Sequence, residues 1–493
     1  MTFLGSVLLL AIAAEATHSE ATEQQIEASP RTLPKDDAID LSRIDEIQEP
    51  PPDAAPPPPA TLKDPTSAPD AAETKTNPKG GRGTYFVQST LAVDRSVPPP
   101  ALGSPSDIRV RNVSFVDGQL ARSLTSRMNI QASARINLSV GDYGTSTIAR
   151  PLRLDLRETF ATWSVSNTAF LDLGRINQKF GVGYSYNPTD VFRAGTQVDP
   201  LTADPRALRE GRLGSLMVRG QTFWADGQIQ AIWSPGVAHS SPLLTNQRRK
   251  GLDLQLDRTN SRDRFVIRLE QNLGDRFRPE LLLFDDGEAV AVGLSATVGV
   301  GSATILHAEA AFANRPSVLG SAINRSRETR DIFTIAQAMD KRDARQQRVD
   351  AVIGATVTLS SWTITGEYHY DGAGLRGKRW DALLAAAASS PVERLRLQYL
   401  KIFGVEAGRA TTRNSFFLRA SRPDVFVRDL ELSSFALIAP DEETIFFQTN
   451  AEYALNDSFS LNGTINVLTG TDSSTAKRLG RSERFLIGLR YYF

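Results

Sequence analysis

Apolar and polar residues alternate with a period of two along most of the chain after Met128, and the alternation is cleanest in the last nine residues, Phe485 to Phe493 (FLIGLRYYF). Phe485, Ile487, Leu489, Tyr491 and Phe493 share one face of an extended strand, with Arg484, Gly488, Arg490 and Tyr492 on the other. A terminal strand in water usually frays or carries polar residues, whereas this one grows more aromatic to its end, as contact with lipid would favour. The pattern recurs upstream. Ile130, Ala132, Ala134, Ile136 and Leu138 alternate with Gln131, Ser133, Arg135 and Asn137, and Leu152, Leu154 and Leu156 with Arg153, Asp155 and Arg157. Leu252, Leu254 and Leu256 oppose Asp253, Gln255 and Asp257, while Phe265, Ile267 and Leu269 oppose Arg268 and Glu270. Trp362, Ile364, Tyr368 and Tyr370 oppose Thr363, Thr365, Glu367 and His369, and Phe459, Leu461, Ile465 and Val467 oppose Ser460, Asn462, Thr464 and Asn466. Charges at every second position are out of place in a sandwich core and expected on the wall of a water-filled lumen.

Connection lengths give a second criterion. Counting back from Phe493, long and short connections alternate, as a barrel with both chain ends in the periplasm requires. The long ones are Gly470 to Arg481, Asp371 to Arg413, Asn314 to Arg348, Leu273 to Glu288, Pro235 to Lys250 and Gln178 to Arg212. This alignment treats Glu280 to Phe284 and Leu395 to Phe403 as loop structure. The fold expected is all-β: a transmembrane antiparallel β-barrel of about 16 strands (14 to 18) over residues 128–493. Residues 84–127 contain two strand-like runs, TYFVQSTLAVD and IRVRNVSFVD, separated by Pro98 to Pro100; they are either a lead-in or a first strand pair, which would give about 18.

Composition narrows the class. The 493 residues include no Cys, 56 Lys+Arg and 56 Asp+Glu, so thiolate sites and disulfides are excluded and nucleic acid is not the expected partner. Beyond the N-terminus no apolar run approaches the ~20 residues of a spanning helix, which leaves a closed barrel as the way to cross a membrane. Phe3 to Ala14 is an apolar stretch of signal-peptide length followed by small-residue cleavage options, although no Lys or Arg precedes it; residues 1–16 are expected to be a signal peptide. Residues 17–83, rich in Pro and Ala and including PPPDAAPPPPA at Pro50 to Ala60, are expected to be a disordered periplasmic tail.

Candidate chemistry lies on the lumen wall and in the loops. Arg153, Arg157, Arg219 and Arg268 are set against Asp253, Asp257, Glu270 and Glu367 on predicted lumen faces, a balance suited to hydrophilic solutes without strong ion preference. His307 and His369 also face the lumen, which raises an outer-membrane hydrolase as an alternative; no GxSxG, HExxH or phosphate-loop motif accompanies them, and no cofactor is implied. The loop Gln178 to Arg212 is punctuated by Asn187-Pro188, Asp199-Pro200 and Asp204-Pro205, so it should hold a fixed shape. Its Arg206, Arg209 and Arg212 recur every three residues, with Asp190, Asp199 and Asp204 nearby. Facing rows of opposite charge would form a constriction; the alternative is a turn whose arginines pair locally with those aspartates. The loop Asp371 to Arg413 carries two helical segments, Trp380 to Ala388 and Glu393 to Phe403, expected to act as a lid or plug.

The order of a GRINQKFG strand, an NPTDVF loop, an IQAIWSPG strand, a GEYHYDGAG strand before a long loop, and a terminal RYYF resembles large porin-like outer-membrane channels of Gram-negative bacteria, including the alginate-export type. The final alternating stretch, Phe485, Ile487, Leu489, Tyr491 and Phe493, likewise resembles the assembly signal of such proteins. The resemblance implies outer-membrane lipid and the barrel insertion machinery as partners. It implies as cargo small polar solutes, saccharides or an exported polysaccharide. A non-conducting structural or adhesion barrel is the remaining alternative.

Overall fold

The computed structural model describes residues 82–97, 107–141, 152–199, 201–243, 253–330, 341–471, 474–476 and 481–493. The expected signal peptide, and the expected tail up to residue 81, lie outside these residues. Eighteen strands follow one another: β1 (Arg82–Val97), β2 (Asp107–Thr125), β3 (Met128–Gly141), β4 (Leu152–Ser164), β5 (Ala169–Ile176) and β6 (Ser215–Trp224). Next come β7 (Gly227–Ser234), β8 (Arg264–Gln271), β9 (Phe277–Asp285), β10 (Val290–Val300), β11 (Thr304–Arg315) and β12 (Gln346–Leu359). The series ends with β13 (Trp362–Asp371), β14 (Asn414–Arg422), β15 (Leu430–Ala439), β16 (Thr444–Ala454), β17 (Phe459–Gly470) and β18 (Arg481–Tyr492). Every strand pairs antiparallel with its sequence neighbours, and β1 pairs with β18 from Phe86↔Tyr492 to Val97↔Arg481, so the sheet closes on itself. Closure leaves no strand edge unpaired, which is what hydrocarbon demands of a sheet.

The connections sort by length. Those at one rim are short, two residues at 126–127, 225–226 and 360–361 and no longer than 423–429; those at the other include 177–214, 235–263, 316–345 and 372–413. Outward side chains are apolar through the middle of the wall. Tyr85, Trp163, Trp224, Phe277, Phe459, Tyr491 and Phe493 are exposed at the short-turn rim. Towards the opposite rim Trp233 stacks on Phe265 with ring centroids 6.4 Å apart, and Phe312, Phe416 and Phe447 are also exposed. An apolar belt between two aromatic girdles makes this a membrane-spanning barrel of the outer-membrane type.

From Met128 onward there are sixteen strands, as the alternation of connection lengths led us to expect, but two errors in the sequence reading cancel. Asp253 to Asp257, the described part of the Leu252 to Asp257 run, is no strand. Gln255 sits at φ 53°, the left-handed region, which an extended segment does not permit, and the chain turns into the short helix α2 (Leu256–Thr259). Asp253 and Asp257 therefore belong to the 235–263 loop and leave the list of wall residues. Conversely, Glu280 to Phe284 lies within β9. Alternation fails there because Leu282 and Phe284 face inward yet are buried, packed in one cluster with Phe180, Val191 and Phe192 of the loop after β5. Residues 82–97 and 107–125 form β1 and β2 of the barrel, so the two strand-like runs of 84–127 are a strand pair of the wall.

At the seam, the last residue is bonded to the first strand. The Phe493 amide donates to the Tyr85 carbonyl at 3.2 Å, and its ring packs edge-on against Tyr491 at 4.9 Å. Phe493→Ser is expected to lower the amount of heat-modifiable, membrane-inserted protein several-fold while leaving export intact; a normal folded yield would show that this terminus does not direct assembly.

Candidate functional site

A barrel of this strand number encloses an aqueous bore unless something folds into it. What folds in is the 177–214 loop. It leaves β5, crosses to the far wall, returns past β3 and β4, touches β16 and rejoins at β6. On the far wall two carboxylates receive it. Glu309 of β11 accepts the Thr189 amide at 2.6 Å and hydroxyl at 2.7 Å through Oε1, and the Val182 amide at 2.9 Å through Oε2. Glu367 of β13 accepts the Ser185 amide and hydroxyl, both at 3.0 Å, and the Tyr184 amide as well. Backbone N–H groups carried into a buried site need acceptors, and an anionic acceptor makes the stronger bond. The approach is close enough to require glycine: Gly181 has φ 87°, and a Cβ there would lie 2.5 Å from a Glu309 oxygen.

Further round, Tyr186 donates to Asp350 at 2.8 Å, and Arg193 donates to Tyr186 at 2.7 Å with its guanidinium over the ring. On the return, Asp199 pairs with Arg135 at 2.8 Å, Arg153 donates to the Val198 carbonyl at 2.6 Å, and the Ala203 amide donates to Gln448 at 3.0 Å.

The six loop residues expected to face each other across a gap do not form two rows. Arg212 makes a buried, two-pronged pair with Asp190, at 2.7 and 3.2 Å, and a third bond to Asn177 at 2.6 Å. Burial works against the Asp190 carboxylate, but the bonded guanidinium outweighs it and holds the group below its ordinary value. Arg209 donates to the carbonyls of Phe180 and Gly181, at 2.7 and 3.1 Å, and has no bonded carboxylate among the described residues; desolvation lowers its pKa. Asp204 caps the short helix α1 (Pro205–Glu210) by accepting the amides of Arg206 and Ala207. Only Arg206 of the three arginines is exposed, paired with Glu210 at 3.1 Å. Local pairing, the alternative reading, describes Arg212 with Asp190.

The wall charges are ion-paired. Arg153 bonds Asp155 at 2.8 Å, Arg157 bonds Asp117 at 2.5 Å, Arg219 bonds Asp172 at 2.8 Å, and Arg268 holds Glu270 at 2.7 Å and Glu280 at 2.5 Å. Glu309 escaped notice because alanines flank it (HAEAAFA) and no charge pattern marks it out; its signal was shared parity with His307.

The 372–413 loop forms α4 (Gly377–Ser389) and α5 (Pro391–Glu406), slightly longer than the two helices read from sequence. Both pack on an apolar stretch of inner wall, Phe417, Phe435, Leu437 and Phe446, and share that core with Val318 of α3 (Val318–Thr329). Charged clips tie them to the neighbouring loops: Lys401 to Glu442 at 2.5 Å, Arg379 to Asp343 at 2.7 Å and Arg258 to Glu406 at 2.8 Å, with Arg409, just past α5, bonded to Glu288 at 3.3 Å.

The histidines are part of the docking network. Ser185 Oγ lies 3.2 Å from His369 Nε2, but Glu367 Oε2 meets that same nitrogen at 3.1 Å, and Nδ1 faces Ser415 at 3.3 Å. A Ser/His/acid relay needs its carboxylate on the nitrogen away from the serine, so Ser185, His369 and Glu367 are not arranged as one; Ser415, on the far nitrogen, is 1% exposed and closed off from the bore.

No family model and no curated protein sequence matches the chain. Solved barrels do. Pseudomonas aeruginosa OccK11 (OpdR) aligns over 84% of this chain and 96% of its own at 10% identity, TM-score 0.47. Acinetobacter baumannii OccAB1 aligns over 83% and 96% at 8% identity, TM-score 0.49, and Salmonella typhi OmpF over 84% and 98% at 9% identity, TM-score 0.42. These are likenesses of barrel architecture, and no residue role is carried over from them.

Charged hydrogen bonds to a buried acceptor contribute about 1.5–3 kcal/mol each. In Glu309→Gln, and more so with Glu367→Gln added, the loop is expected to loosen while the barrel stays intact, giving a larger and noisier single-channel conductance at unchanged heat-modifiability. A quiet wild-type trace from the double variant would place the loop's anchorage elsewhere.

Proposed function

We propose that the chain is an outer-membrane channel through which small polar solutes diffuse, and that the 177–214 loop forms its constriction. The observation that carries this reading is the path of that loop, bonded to Glu309 and Glu367 on one wall and to Arg135, Arg153 and Gln448 on others. A loop held at so many points inside a polar bore narrows it without needing a mobile gate. The geometry favours solutes of monosaccharide size over a polysaccharide, since an exported chain would have to part the loop from α4 and α5. No chemical step is assigned to the protein, and the insertion machinery would read the exposed aromatic face of β18. The signal peptide and the periplasmic tail are part of the same proposal.

Within the constriction, the expected charge roles divide. Arg206 is the arginine that a passing ion meets, whereas Arg209 and Arg212, with Asp190, Asp199 and Asp204, hold the loop in shape. Purified protein in planar bilayers should show stepwise conductance. Arg206→Ala should shift permeability toward cations by roughly two-fold with little change in conductance, since it removes one exposed positive charge from the path. Arg212→Ala, which strands Asp190, should instead raise conductance and noise. Silent bilayers from correctly folded wild-type protein would overturn the channel reading; an Arg206→Ala trace of wild-type selectivity would move the charge filter to another loop.

A further inference from the structure

The lipid-facing side of the barrel carries a polar island in the middle of its apolar belt. Ser89 of β1 and Ser114 of β2 stand directly opposite each other in the register, and Asn112 lies two residues along β2 from Ser114. All three point away from the bore, Ser89 exposed and the other two half-buried. Ser114 donates to the Asn112 carbonyl at 2.8 Å and Asn112 Nδ2 to Ser89 at 3.1 Å, with the two hydroxyls 3.0 Å apart. Apolar residues continue the same face on both sides, Val87 and Leu91 on β1, Val110 and Val116 on β2. At ~2.5 Å of height per residue in a tilted strand, Ser89 lies ~10 Å from Tyr85 in the short-turn girdle and ~15 Å from Arg95, near the opposite rim. The island thus sits at mid-belt. Other outward amides, Gln271, Asn314, Gln347 and Asn414, lie at strand ends.

Outward hydroxyls such as Ser434 and Thr449, 2.9 Å apart, can satisfy each other in one bond. An amide needs more: it has two N–H donors, and the second N–H of Asn112 finds no partner among the described residues. Hydrocarbon supplies none, so the group that completes it comes from protein at the same depth. We propose that this protein is a second copy of the chain, docked β1–β2 against β1–β2 about a two-fold axis through the island. Each member of the island both donates and accepts, so the patch is complementary to itself after half a turn, the condition an isologous contact sets. The facing serines are also small beside their outward neighbours, Leu489 on β18 and Leu138 on β3, and small residues in a membrane contact let two surfaces approach closely. The inference rests on the barrel's place in the membrane and holds whether or not the barrel conducts.

Because the chain has no Cys, a single introduced thiol reports the contact. Val116→Cys, beside the island, should give a disulfide-linked dimer on oxidation in native outer membranes, and Ile353→Cys, exposed on β12 across the barrel, should give none. Should Val116→Cys fail to insert, Leu91→Cys, on the other side of the island, carries the same expectation. Adding Asn112→Leu, Ser89→Ala and Ser114→Ala should cut the linked fraction about five-fold at unchanged heat-modifiability, since the belt becomes uniformly apolar and the polar contact is lost. Light scattering of the wild-type protein in mild detergent should give twice the mass of one chain. Absence of the link in a folded thiol variant, equal linking at position 353, or an undiminished link after removal of the island overturns the contact; a trimer by light scattering overturns the two-fold axis.

Discussion

The acceptance of loop backbone amides by two carboxylates, Glu309 and Glu367, is the interaction on which the interior depends. Neither side is stable alone. A buried carboxylate without donors and a buried loop without acceptors each carry a desolvation penalty that only the other removes. Because Glu309 and Glu367 sit on β11 and β13 while the loop springs from β5, one set of bonds fixes the loop's depth and at the same time braces opposite walls. Gly181 and Asn187-Pro188 belong to the same device: the first allows the approach, the second turns the chain back towards Thr189.

Much of the architecture was legible because one face of nearly every strand meets lipid. That constraint is uniform, so Phe485, Ile487 and Leu489 show it as plainly as Leu152, Leu154 and Leu156. Where the other face also meets apolar matter the signal disappears. Leu281, Leu282 and Leu283 of β9 read as one block because Leu282 is covered by Phe180, Val191 and Phe192, and the inward Phe435 and Leu437 of β15 are apolar for the same reason, under α4 and α5. The false strand shows the converse: Asp253 to Asp257 keep a period of two in a loop where nothing imposes it.

The candidate site was legible in kind and not in pairing. Alternating charge marked Arg153, Arg157, Arg219 and Arg268 as wall residues, and proline spacing marked the loop as shaped. Which acid meets which base depends on strand register and on where the loop lands, and neither is written locally. The three-residue spacing of Arg206, Arg209 and Arg212 suggested one shared face, yet each ends in different company: a solvated glutamate, two carbonyls, and a buried aspartate.

The seam between β1 and β18 carries an implication for how such a chain reaches its native state. Asp94 and Arg484, bonded across it, stand 390 residues apart in sequence, and Arg111 joins them from β2. A closing contact of such separation has a large loop-closure entropy and comes late in folding. Until the last strand has been synthesised and delivered, every intermediate presents two bare β-edges, each a template for pairing with another chain. Survival of the unclosed sheet thus becomes a matter of timing, with chaperoning in transit deciding between a cylinder and an aggregate.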